Sequence, residues 1–294
     1  MKVHHLNCTS LHPPGGRLMD GESGWFEAAT LVCHCLLVET EAGLLLVDTG
    51  FGLRDVARPR SRLSPFMLKE VRPELREELT AVRQVEALGF QPEDVRHVAL
   101  THLDFDHAGG LDDFPRAQVH LLEAERNAAF AQRTLLDRMR YRPAQWSSED
   151  HWRTYRPDQG ERWFGFQAVR QLEGVPPEVL VIPLAGHTLG HAGVAIQTDD
   201  GWLLNAGDAY FFHGEMGVEY RCPAGLRAYQ TQMEKDRGAR MANQHHLRQL
   251  VRQHSAEVTV FCSHDRREFE RLAGRAADEP ARRAVQLFEH VTQA

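Results

Sequence analysis

Within the run Leu100-Thr101-His102-Leu103-Asp104-Phe105-Asp106-His107-Ala108-Gly109-Gly110, four side chains able to bind a metal fall inside six positions: His102, Asp104, Asp106 and His107. The run follows apolar Val98-Ala99-Leu100, so a loop at the end of a buried strand is predicted. In an irregular loop, His102 and Asp104 can turn to one ion while Asp106 and His107 turn to a second, and Gly109-Gly110 lets the backbone swing away. Two cations held side by side can share a water and lower its pKa towards neutrality, which supplies hydroxide without a serine or cysteine nucleophile. The chemistry expected of such a loop is metal-dependent hydrolysis.

Such a loop needs strands to hold it. Val38–Gly50 and Ile196–Asp208 read alike: each is a short strand, an acidic turn with glycine, and an apolar strand ending in a small polar edge. Helical sequence follows each copy, and then an apolar strand that ends in histidine, His102 in the first and His264 in the second. The reading is one domain over 1–294, built of two similar halves at about 30–125 and 180–265 whose sheets pack face to face. Between them, about 126–172 carries Tyr141, Trp146, Trp152, Tyr155, Trp163, Phe164 and Phe166 without strand alternation, and is expected to be a helical insertion capping the cleft. Trp146, Trp152 and His151 in that insertion, with Phe211 and His213, are the candidates for a substrate pocket. The segment from Arg58 to Leu88, with Pro59, Pro65 and Pro73, reads as a loop followed by helices.

With 42% hydrophobic and 26% charged residues among 294, the chain has the composition of a globular enzyme rather than a disordered or fibrous protein. A net charge of -7 argues against a nucleic-acid partner. No run approaches the ~18 apolar residues of a membrane span, and the N-terminus lacks a signal-type core, so a cytoplasmic protein without a membrane partner is expected. The five cysteines lack zinc-finger or redox spacing. Cys33 and Cys35, flanking His34, read as buried strand filler on one face, with a metal site as the rival reading. His245 and His246 read as the solvated face of a helix.

Taken together, the motifs resemble the metallo-β-lactamase superfamily, with its signature of His, any, His, any, Asp, His, and most closely its quorum-quenching lactonase branch. The resemblance implies a four-layer αββα sandwich holding two divalent metal ions, zinc by family, and hydrolysis of a small ester or lactone by a hydroxide bridging the metals. It places His187, in Gly186-His187-Thr188-Leu189-Gly190-His191, as the third protein ligand of the first metal, with His191 orienting ligands rather than binding. Asp208, in Gly207-Asp208-Ala209, becomes the carboxylate between the ions, His264 the last ligand of the second site, and Asp106 the proton carrier. Asp48, in Asp48-Thr49-Gly50, either orients a ligand or hydrogen-bonds its own turn. In two places the chain departs from the pattern. Asp104 stands where histidine is usual, adding charge and a harder oxygen donor, which tilts the metal towards iron or manganese and brings in iron-dependent oxidoreduction as an alternative reading. The substrate-side tyrosine position is Phe211, so either Tyr210, one residue earlier, takes that role or the role is absent. Phosphodiesterase and thioesterase hydrolysis remain alternatives, the partner is a small molecule, and a homodimer is compatible with the sequence.

Overall fold

The computed structural model describes residues 1–156, 160–168 and 172–283. Two sheets carry the fold. The first has six strands in the order β1 (Lys2–Asn7), β2 (His34–Thr40), β3 (Gly43–Val47), β4 (Val95–Ala99), β5 (Gln118–Leu122) and β6 (Trp152–Tyr155). β1, β2 and β3 pair antiparallel and the remainder pair in parallel. A hairpin of β7 (Glu161–Trp163) and β8 (Phe166–Ala168) leads to the second sheet, β9 (Val179–Pro183), β10 (Ala192–Thr198), β11 (Gly201–Asn205) and β12 (Val258–Phe261), ordered β12-β11-β10-β9.

Period-two alternation of fully apolar strands explains the layering, because each sheet buries both faces. Leu36, Val38, Leu45 and Val47 of the first sheet pack against Val179, Val181, Val194, Ile196 and Phe261 of the second. The intervening residues Leu37, Leu44, Leu46 and Val98 face outward onto Val82 and Val85. On the far side, Leu180, Ile182, Leu204 and Val260 meet Leu247 and Leu250. The result is helix, sheet, sheet, helix, as the sequence implied.

The short helix α1 (Arg17–Asp20) lies in the N-terminal segment. α2 (Leu53–Ala57), α3 (Pro59–Arg62), α4 (Pro65–Glu70) and α5 (Ala81–Ala87) follow β3. Pro59 and Pro65 sit in the first turn of their helices, where the missing N–H costs nothing, so part of the expected loop after Arg58 is helical. α6 (Glu123–Ala131) and α7 (Leu135–Arg140) follow β5; α8 (Ala224–Met233) and α9 (Arg237–His254) follow β11, and α10 (Arg266–Ala273) follows β12. In both halves the second hairpin strand pairs in parallel with the histidine-tipped strand, β3 with β4 and β11 with β12.

The stretch at 126–172 is helical, as expected, only as far as α7. Beyond α7 it turns extended: β6 extends the first sheet and β7 pairs with β8. These strands span three or four residues, too few for alternation to show in sequence. Residues 157–159 and 169–171 of this stretch lie outside the described residues.

Candidate metal centre

Parallel pairing brings the C-terminal ends of β3 and β4 to one edge and those of β11 and β12 to another, and Ala192 N–H donates across to the Thr101 carbonyl at 2.8 Å. The loop after β4 is pinned by its apolar members. Leu103 sinks into the first core cluster and Phe105 into another with Phe51, Leu63 and Met67. His102, Asp104, Asp106 and His107, all at most 7% exposed, are thereby left facing inward.

Asp208 joins two donor groups. Its Oδ2 lies 3.8 Å from His102 Nε2 and 3.3 Å from His187 Nε2, and Asp104 Oδ2 completes that group at 3.4 and 3.0 Å from the same nitrogens. Its Oδ1 lies 3.3 Å from His107 Nε2 and 3.2 Å from His264 Nε2, with Asp106 closing the second group at 4.0 and 3.7 Å. Donors about 2.1 Å from a tetrahedral ion stand roughly 3.4 Å apart, so both groups have the span of a metal site. His102 Nε2, His107 Nε2 and Asp208 Oδ1 are buried without a hydrogen-bond partner among the described residues. A buried polar atom left so is costly unless something binds it, and bound cations would satisfy all three.

Surrounding groups fix the imidazole tautomers. His107 Nδ1 donates to Asp48 Oδ2 at 2.9 Å and His264 Nδ1 to the Val32 carbonyl at 2.7 Å, leaving each Nε2 lone pair directed at Asp208. Asp48, at a positive φ of 55°, also accepts from Thr101 N and Oγ1 at 2.8 and 2.7 Å. Its carboxylate therefore serves the ligand loop and not its own turn. His191 donates from Nδ1 to the Leu184 carbonyl and accepts at Nε2 from the Asp208 N–H at 2.8 Å. Burial and neighbouring His187 push its pKa down to about 3, so it holds the Asp208 backbone as a neutral ring. Gly207, at φ +55°, lies where a Cβ would strike His191 Nε2 at 2.6 Å.

Burial alone would raise the Asp208 carboxyl, but His264, His107 and His187 more than offset it and hold it well below the usual range. Burial wins at Asp106, whose pKa is raised.

Asp104 has a partner that the sequence did not reveal. Arg140, the last residue of α7 and fully buried, grips it in a two-point pair, Nε to Oδ1 at 2.8 Å and Nη2 to Oδ2 at 2.7 Å. Its Nη1 donates to the carbonyls of His187 and Met233, and Nη2 also lies 2.7 Å from His187 Nε2. Burial disfavours the charged guanidinium, but the carboxylate outweighs it and Arg140 stays protonated. The pair is neutral, as an imidazole would be. The extra negative charge expected from Asp104 is thus cancelled inside the protein. Buried Glu125 is a second unforeseen member, accepting from Leu103 N, Thr188 Oγ1 and Gly190 N and so tying the two ligand loops together.

A family model, the metallo-beta-lactamase superfamily, matches residues 29–234. The chain belongs to this superfamily. A probable metallo-hydrolase of Mycobacterium tuberculosis is 39% identical over 265 residues, 90% of this chain and 80% of its own. An N-acyl homoserine lactonase of a Bacillus species is 30% identical over 192 residues, 63% of this chain and 69% of its own. Among solved structures, an N-acyl homoserine lactone hydrolase with N-hexanoyl-L-homoserine bound at its catalytic metal centre superposes with a TM-score of 0.69 at 21% identity, covering 95% of this chain and 98% of that one. AidC, a dizinc quorum-quenching lactonase, gives 0.54 at 16%, covering 90% and 89%. At these identities the structural likeness carries the fold. Metal-dependent hydrolase is the activity class that the superfamily match and these relatives support.

In this superfamily member, the cavity reaching the centre is built from parts that the sequence reading passed over. A space of about 240 Å³ ends at Asp106, His264 and Tyr229, and its walls include Leu11, Pro13, Pro14, Met19, Leu31 and Val71. Phe211 lines it and stacks on His264 at 5.0 Å. A neighbouring space of about 230 Å³ holds His213, which is hydrogen-bonded to Asp265. Trp146 and Trp152 are not brought there: they pack on each other and on Phe130 at the β6 edge. His151 is exposed and serves through its carbonyl, which accepts from Val119 N. The N-terminal segment and α8 supply the walls because they cross the sheet edges where the strands end.

Tyr210 does not reach the centre either. Its ring is fully buried in the second core cluster, and its hydroxyl donates to Glu268 at 2.9 and 3.1 Å. Tyr229 of α8 faces the site instead; burial, then Asp106, Asp208 and Asp104, raise its pKa. Cys33 and Cys35 also part company, since β2 begins only at His34. Cys33 comes within 4.8 Å of Asp106 and His264, while Cys35 packs in the core. Burial raises the Cys33 thiol, which keeps it protonated in the absence of a bound cation.

Glu268 makes one consequence measurable. Burial, then Asp265, raises its carboxyl from 4.5 to about 7. Between those values the native state holds a proton that the unfolded chain releases, so stability falls as pH rises from about 4.5 to 7, by roughly 3 kcal/mol in all. Glu268→Gln is expected to remove this slope. Denaturant midpoints of both proteins from pH 5 to 8 should diverge in the wild type's disfavour; parallel curves would refute the assignment.

Proposed function

We propose that the protein is a dinuclear metal-dependent hydrolase that opens a small lactone or ester, with zinc as the metal. The observation that carries this reading is Asp208, whose two oxygens each face a separate pair of histidines whose Nε2 atoms point inward. His102, Asp104, His187 and Asp208 would hold one ion, and Asp106, His107, His264 and Asp208 the other. Bound there, the ions supply an activated water and polarise the scissile carbonyl.

The rest of the work falls to the chain. Tyr229 is placed to donate its hydroxyl proton in a hydrogen bond to the carbonyl oxygen of a substrate seated against Asp106. Asp106, beside His107 and His264, would take a proton and pass it to the leaving alkoxide. The apolar wall of Leu11, Pro13, Pro14, Met19 and Leu31 excludes water and suits an acyl chain. Charge favours hydrolysis over the iron-dependent alternative: with Arg140 neutralising Asp104, the first group has the net charge of three imidazoles and one carboxylate, a set suited to zinc.

The test is a panel of acyl lactones, aryl esters and phosphoesters with the zinc-loaded protein. Lactone or ester turnover that chelation abolishes is expected, and an inert panel would sink the reading. Tyr229→Phe should lower kcat/KM by about 10- to 100-fold, whereas Tyr210→Phe should leave it unchanged and lower stability by about 1 kcal/mol.

A further inference from the structure

Arginine is concentrated in one groove of this acidic chain, away from the metal cavity. α9 presents Arg237, Met241, His245, Arg248 and Arg252 at spacings of three and four, one face of a helix running roughly 22 Å. Arg227 and Thr231 of α8 form the facing wall, and the loop Gly217–Tyr220 closes the end. The enclosed space is about 430 Å³, within the ~300–1,000 Å³ typical of small-molecule sites.

What distinguishes this groove from an ordinary solvated face is the state of its cations. Arg237 and Arg240 pair with Glu234. Arg227, Arg248 and Arg252 have no carboxylate partner among the described residues. Arg248 Nη1 is buried with no hydrogen-bond partner among the described residues, and its guanidinium sits 5.7 Å from the Tyr220 ring centroid. Among the described residues Arg252 reaches only the Val218 carbonyl. Beside these unspent donors lies apolar surface that water solvates poorly, with Val218 83%, Tyr220 44% and Met241 40% exposed.

We infer that this groove binds a small phosphorylated molecule carrying a planar or apolar group, of the nucleoside diphosphate kind. Arginine forks match phosphate oxygens two at a time, and Tyr220 with Met241 offers a face for the attached ring. The groove is short and bounded, and the chain carries a net charge of -7, so a small anion fits better than a polymer. The metal cavity lies on the opposite side of α8, where Ala228, Tyr229 and Gln232 point. The two sites are therefore separate.

Titration calorimetry of the metal-loaded protein tests this with pyrophosphate, a nucleoside diphosphate, phenyl phosphate and a short single-stranded oligonucleotide. One diphosphate per chain is expected, with a Kd below about 1 mM and tighter than pyrophosphate. Arg248→Gln with Arg252→Gln should weaken it at least about tenfold, and exposed Arg227→Glu, which leaves the core untouched, should do the same. Asp208→Asn should change it less than about twofold. Absence of saturable binding overturns the inference. So does binding that Asp208→Asn abolishes and the arginine variants spare, since the phosphate then sits at the metals. Oligonucleotide binding tighter than the diphosphate would mark a nucleic-acid surface and equally overturn it.

Discussion

Replacing Asp104 with histidine, which would restore the motif usual in the superfamily, is expected to cost the protein its first metal ion. The imidazole removes the partner of Arg140, a fully buried guanidinium that spends two of its contacts on that carboxylate. An uncompensated buried charge costs about 3–5 kcal/mol, and Arg140 Nη2 already stands 2.7 Å from His187 Nε2. Freed from Asp104, the cation would repel an ion held by His102 and His187. On the proposed dinuclear reading, metal content should fall from about two to about one per chain, and the melting temperature should drop by several degrees. The double variant Asp104→His with Arg140→Leu removes charge and countercharge together and should recover the lost ion. Elemental analysis of the wild type, both single variants and the double variant gives the coupling directly. Cobalt spectra separate loss of the first site from misfolding. A single Asp104→His variant that keeps two ions would show that Arg140 does not govern the site.

The same pair shows where sequence reading stops. His102 to His107 was legible because local spacing alone puts those groups in one loop, and Asp208 and His264 were legible because a repeated hairpin and strand places them at matching edges. The burial of both faces of β2, β3, β10 and β11 was written in their unbroken apolar runs. Arg140 gave no such signal. It lies at the end of a short helix among many arginines, and only tertiary packing selects it. Glu125 is similar: a helix-surface residue by pattern, it is buried because Gly190 lets the second ligand loop approach its backbone. Tyr210 misled for the opposite reason, since nearness in sequence to Asp208 says nothing about which side of the backbone its ring takes. The aromatic residues after 126 looked like a cap, but Trp146 and Trp152 fill the edge of the first sheet, where Trp152 begins a strand too short to alternate, and Trp163 and Phe166 join the core of the second.

Asp208→Asn should be the most damaging conservative change in the protein, and its severity follows from where charge and lone pairs are needed. The carboxylate presents one oxygen to each donor group, at 3.2 to 3.8 Å from four histidine nitrogens. An amide keeps the shape but offers one oxygen and two N–H donors, so one of the two groups must lose its acceptor and face a donor instead. The lost negative charge also removes part of what would balance two cations set among neutral imidazoles. Turnover should fall by about 10³-fold or more, with weakened binding of both ions. Asp48→Asn offers the scale for comparison. It alters only the acceptor that orients His107 and Thr101, and a change at that remove typically costs about 10- to 100-fold. If the two variants lost activity equally, Asp208 would be acting through ligand orientation alone, and the two donor groups would not share it.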